Sequence, residues 1–119
     1  MGLDTYAARV PGNIELTEED IQAFQEANIT LCGGIFSGGE GSFRGKVYAS
    51  YVQEITGESL YEMWLPPETV RKMYHAMVAY VRSPEQDASS MVPTQFEHLE
   101  LCKFFKACSE RGLGLVGWF

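Results

Sequence analysis

The residues best suited to chemistry lie in one glycine-rich stretch, "CGGIFSGGEGSFRGK", residues 32–46. Ser42 is a good helix cap, and a helix starting at Phe43 would offer free backbone N–H groups to an anion. Arg44 and Lys46 would add positive charge, and the Arg44 guanidinium can grip two oxygens at once. Gly45 in a first helical turn costs up to about 1 kcal/mol relative to alanine. Something must therefore approach the backbone closely there, either a neighbouring side chain or a ligand. Ser42, Arg44, Gly45 and Lys46 form the candidate anion site. Both common nucleotide signatures fail. A phosphate loop ending at Gly45-Lys46 needs a glycine where Glu40 stands and a hydroxyl where Val47 stands. The dinucleotide pattern fits Gly39 and Gly41, then meets Arg44 instead of a third glycine.

His98 and Cys102 lie four apart, on one face of a helix with Glu97 beside them, a pair that can begin a metal site. Two further ligands would have to come from Cys32, His75 or Cys108, and neither C-x-x-C nor H-x-x-x-H spacing occurs to supply them. No metal and no cofactor is expected. Cys32 ends an apolar run and precedes two glycines, which makes it the candidate nucleophile, with His75 or His98 as base. No G-x-S-x-G and no protease signature surrounds it, so an inert buried thiol is expected, and no residue is assigned a catalytic role.

Charge narrows the field further. Sixteen acids against nine bases give a formal net charge of −7, a field that repels the phosphate backbone and argues against direct nucleic-acid binding. The acids are unevenly placed. "IELTEEDIQAFQEA" carries Glu15, Glu18, Glu19, Asp20 and Glu26 with no base among them. Such a run is either a solvated helix face or a surface aimed at a basic partner, with Glu15, Glu18, Glu19 and Asp20 as the contacts.

Those residues need elements to hold them. The first ten residues suit a strand, stopped by Pro11-Gly12. "LTEEDIQAFQEAN" reads as a helix capped by Thr17, with Asp20 three residues on and Asn28 as its stop. "ITLC", 29–32, suits a short buried strand. After the glycine stretch, Phe43, Val47, Tyr51 and Ile55 recur at helical spacing, flanked by Tyr48 and Val52, and Gly57 ends that helix. "ESLYEMWL" fits a short strand or a single turn, with Leu65 extended because Pro66 follows. "PPETVRKMYHAMVAYVRS" is the clearest helix, its apolar face Val70, Met73, Tyr74, Met77 and Val81. "SPEQDASSMVP" reads as a polar loop. "TQFEHLELCKFFKACSER" is a last helix with Leu101, Phe104, Phe105 and Cys108 inward and Gly112 as its stop, and "LGLVGWF" closes the chain as a strand. The expected fold is α+β: one domain over 1–119, a small sheet and about four α-helices.

Three cysteines make an odd count. Cys102 and Cys108 on one helix stand about 9 Å apart, too far for a disulfide, which fits a reducing compartment. No apolar run approaches the roughly 20 residues that span a bilayer. "MGLDTYAARV" resembles no signal peptide, and Tyr6 occupies the position where a myristoylation signal wants serine or threonine. A soluble cytoplasmic protein is expected.

The opening "MGLDTYA", the segment "GSFRGKVYASYVQEITGESLYEMWLPPETV" and the ending "ERGLGLVGWF" together resemble a family of short uncharacterised bacterial and phage proteins, over most of the chain. The resemblance implies a bacterial cell or a phage-infected host, and it carries no activity to transfer. Two functions follow as expectations. The first is an acidic regulatory protein, such as a phage-borne inhibitor of a host nucleic-acid-binding defence system, that covers a basic protein surface. The second is a binder of a phosphate- or carboxylate-containing ligand, or a small enzyme, built on the glycine-rich loop 38–46.

Overall fold

The first strand, β1 (Asp4–Ala8), is buried along its whole length. Its alternating side chains divide between two apolar surroundings, as a period of two dictates. Leu3 and Ala7 enter the main core, whereas Tyr6 and Ala8 join Val116 and the half-buried Trp64 in a smaller cluster. The computed structural model describes residues 3–11, 16–29, 31, 42–88 and 93–118. Among them the order after β1 is α1 (Glu18–Ala27), β2 (Ser42–Phe43), α2 (Gly45–Thr56), α3 (Pro67–Ala79), α4 (Pro84–Ala88), α5 (Gln95–Arg111) and β3 (Gly114–Trp118). The α+β class is as expected.

β1 sits centrally in an antiparallel sheet of order β2-β1-β3, with Thr5 opposite both Phe43 and Gly117. The third strand is therefore Ser42–Phe43. Ile29 and Leu31 belong to no strand, and Thr30 and Cys32 lie outside the described residues. Leu65 is extended, as its proline neighbour requires, and pairs with Leu115 through two backbone hydrogen bonds of 2.8 Å. The Gly117 N–H donates to the Glu62 carbonyl at 3.0 Å, so residues 62–65 lie along the outer edge of β3. Gly114 makes that approach possible. A Cβ there would stand 2.3 Å from the Leu65 oxygen and 2.7 Å from the Trp64 ring.

The helices cover the sheet through one core. Phe24 of α1, Phe104 of α5, Phe43 of β2 and Tyr48 of α2 form a continuous aromatic run, with successive centroids 5.1, 4.8 and 5.8 Å apart. Such tilted and edge-on pairs add to the burial of large rings. In α3 the buried face is Val70, Met73 and Met77, with Tyr74 half-buried. Val81 departs from the expected stripe: the helix ends at Ala79 and Val81 stands 86% exposed. In α2 the inward positions are Tyr48, Tyr51 and Val52, and Val47 faces out. In α5 all four expected residues, Leu101, Phe104, Phe105 and Cys108, are buried. The polar segment after α3 contains α4, whose first residue is Pro84; proline's fixed φ suits a first helical turn.

Candidate functional site

At the start of α1, local capping and long-range ion pairing act on the same carboxylate. Thr17 caps the helix: its Oγ1 accepts from the Asp20 N–H at 3.1 Å, and Asp20 Oδ2 accepts from the Thr17 N–H at 3.2 Å. Asp20 is fully buried. Oδ1 accepts from Arg9 Nη2 at 2.7 Å and from Arg111 Nε at 2.9 Å, and Oδ2 also accepts from Arg9 Nε at 3.1 Å. Burial alone pushes this carboxyl's pKa up, but hydrogen bonds from Arg111, Arg9 and Thr17 outweigh it and hold the pKa below the usual carboxylate range. One side chain thus ties the end of β1, the start of α1 and the last turn of α5 together.

This placement corrects the expected acidic face. Asp20 turns inward and its acceptor positions are taken, so it is no contact for a partner. Glu18 and Glu19, the first two residues of the helix, remain exposed. Glu15 lies outside the described residues. A groove of about 370 Å³ runs between the second half of α1 and the second half of α5. Lys103, Lys106 and Arg111 line it together with Glu26 and Glu110, so its rim carries both signs, with three bases against two acids.

The α2 terminus differs from the expected anion site. Ser42 is a strand residue opposite Tyr6, not a cap. The N-cap is Arg44, with no side-chain capping bond. Arg44 and Lys46 are exposed at this turn. Two of the backbone donors beside them are engaged, however: the Lys46 N–H donates to the Leu3 carbonyl at 3.1 Å and the Val47 N–H to the Arg44 carbonyl at 3.2 Å. Gly45 is buried, and a Cβ on it would lie 2.1 Å from Thr5 Oγ1 and 3.0 Å from a Leu3 methyl. Its glycine is required by a neighbouring side chain. Residues 38–41 of the proposed loop, and Cys32 of the proposed nucleophile, lie outside the described residues.

The sequence reading missed a third centre, although it had noticed two of its members. His98 is buried on α5 among groups from three helices. Its Nδ1 stands 2.8 Å from the Tyr51 hydroxyl, and Arg82 Nη1 donates to that same hydroxyl at 2.7 Å. Because a guanidinium only donates, the Tyr51 oxygen accepts from Arg82 and its O–H donates to Nδ1. The network thereby assigns the ring proton to Nε2. Tyr80 packs on the ring at 6.0 Å and Tyr51 meets it edge-on at 5.8 Å. Burial, and then the nearby Arg82 charge, push the His98 pKa down.

Cys102 Sγ lies 3.8 Å from His98 Nε2. Burial raises the pKa of its thiol, and the ring beside it is neutral, so the pair lacks the cation that would draw out a thiolate. Buried Cys108 is shifted the same way, by burial and then by Asp20. Among the described residues no group of three or more His, Cys, Asp or Glu side chains is placed to hold a metal ion, and no helix is long and apolar enough to cross a membrane.

Compared with protein-family models, with curated proteins and with solved structures, the chain matches none.

Proposed function

We propose that this protein is a small regulatory binding module that covers a basic surface on a larger protein, with Glu18 and Glu19 at the start of α1 as its contacts. The observation that carries this reading is the way the turn is mounted. Thr17 and Asp20 lock the first turn locally, Arg9 and Arg111 anchor Asp20 to two other elements, and both glutamates are left facing solvent. A rigid acidic turn loses little freedom on binding, so more of its charge attraction survives as affinity. The net charge of −7 supports the same reading, because a negative field speeds encounter with a basic partner. A phage-borne inhibitor of a nucleic-acid-binding defence system, acting in the cytoplasm of the infected cell, is the case that this charge and the family resemblance favour.

The test is capture from a bacterial lysate at low and high salt, using the wild type beside Glu18→Lys/Glu19→Lys. The reading expects a captured protein that is lost in high salt and lost with the double reversal, while the variant keeps the wild-type circular dichroism. A partner held equally by both chains at both salt concentrations defeats it.

A further inference from the structure

The His98 centre is built in a way that a merely filled core does not require. Three groups stand in series on one phenol oxygen: the Arg82 guanidinium donates to it, and it donates to the His98 ring. Arg82 also lies over the Tyr51 ring, 5.6 Å from its centroid. Tyr51 belongs to α2 and His98 to α5, whereas Tyr80 and Arg82 follow the last turn of α3. We propose that His98, Tyr51 and Arg82 form a proton-operated latch, which holds the segment Tyr80–Arg82 against α2 and α5 while His98 is neutral and releases it when His98 takes a proton.

The argument is one of donors and acceptors. With Nε2 already bearing hydrogen, an added proton must go to Nδ1, the atom that accepts from Tyr51. The phenol proton then loses its acceptor, and the Tyr51 oxygen faces two cationic donors, Arg82 and the imidazolium. Two like charges sharing one buried oxygen repel, and an unpaired buried hydroxyl carries its own desolvation cost. The remaining groups facing the ring offer no relief. Tyr80 presents its ring, and Cys102 places a protonated thiol 3.8 Å from Nε2. Glu97, adjacent in sequence, is turned away: it accepts from Tyr48 at 2.9 Å and completes the Thr94 cap. Releasing Arg82 to water removes one cation and frees the phenol. The segment leading from α3 toward α4 is therefore the part that moves.

Two measurements on the full chain test this: NMR titration of the His98 ring, and amide exchange of residues 77–83 between pH 8 and pH 5, corrected for intrinsic rates. In the wild type, exchange at 80–83 should rise about tenfold per pH unit between the latched and released titration points of His98, ahead of α1 and β1. His98→Gln, which keeps one donor and one acceptor, should abolish that dependence. Arg82→Met should raise the titration point of His98, because the neighbouring cation is gone; a structural role alone would not produce that shift. Exchange at 80–83 that ignores the titration of His98 overturns the latch. So does a loss of protection spread evenly over all helices, or a His98 titration point that Arg82→Met leaves in place.

Discussion

Asp20 and His98 are both buried titratable groups that join three elements, and they reach stability by opposite routes. Asp20 keeps its charge. Two arginines and a backbone N–H surround the carboxylate, and the guanidiniums remain partly in water, with 43% and 34% of their side chains exposed. His98 gives its charge up: burial and the nearby Arg82 cation keep the ring neutral, and the Tyr51 hydroxyl donates a hydrogen bond to its Nδ1. The contrast teaches that burial alone does not determine a protonation state: the neighbouring cations outweigh its effect at Asp20 and add to it at His98. A carboxylate beside arginines is locked into its ionised form, and an imidazole beside an arginine is locked out of it.

The largest expected effect falls on Asp20. Asp20→Ala removes the acceptor for two arginines and the carboxylate half of the α1 capping box, and should cost about 2–4 kcal/mol, read as a lower urea midpoint with an unchanged slope. Asp20→Asn, which retains a capping oxygen without the charge, should recover part of the loss. If both variants unfold at the wild-type midpoint, the carboxylate is not the tie described above. The phenol is next. Tyr51→Phe leaves Arg82 Nη1 and His98 Nδ1 without their shared partner and should cost about 1–3 kcal/mol, together with the loss of pH dependence near neutrality.

The pH profile separates the two centres. The folded His98 has a depressed pKa, so the unfolded chain takes up its proton first. Its contribution is complete above about pH 6.5 and is lost as pH falls below that value toward the folded titration point. The folded Asp20 is also depressed, but as an acid its contribution is complete above about pH 4 and disappears only as pH falls through its lower folded value. Unfolding free energy should therefore decline in two stages on acidification, and His98→Gln should erase the upper stage alone. A single stage in the wild type would deny the contrast. The smallest effect belongs to Thr5, whose hydroxyl is buried beside Gly45 with no hydrogen-bond partner among the described residues. Thr5→Val should be neutral or stabilise by up to about 1 kcal/mol, because it removes an unsatisfied group instead of breaking a bond. A clear loss there would mean that the hydroxyl has work in solution.

Much of the local structure was legible from the residues. The Thr17–Asp20 cap, the stops at Asn28, Gly57 and Gly112, the buried face of α5 and, apart from Val81, that of α3 follow from chemistry within a few residues, and they are present. Ser42 illustrates where that reasoning ends. Serine is a better cap than arginine, yet Phe43 pairs with Thr5 across the sheet, and that long-range pairing moves the helix start two residues along. The buried face of α2 moves with it, because Gly45 must lie against Thr5 and Leu3. The acidic run hid the same kind of event: nothing near Asp20 in sequence announces Arg111, 91 residues away. The His98 centre was half visible through Cys102. Its decisive members, Tyr51 and Arg82, come from other elements, with 47 residues separating Tyr51 from His98.

The pairing of Leu65 with Leu115, and of Glu62 with Gly117, has a consequence for behaviour in a crowded solution. An unpaired strand edge is a template on which another chain can add itself, the first step toward fibrils and precipitates. Here that side of β3 is already occupied by the chain's own backbone, and the covering segment runs directly into Pro66 and Pro67, which have no N–H to offer a further strand. An invading strand would first have to displace Leu65 and move Trp64 off Gly114. The protein thus carries its own guard against growth of the sheet in that direction.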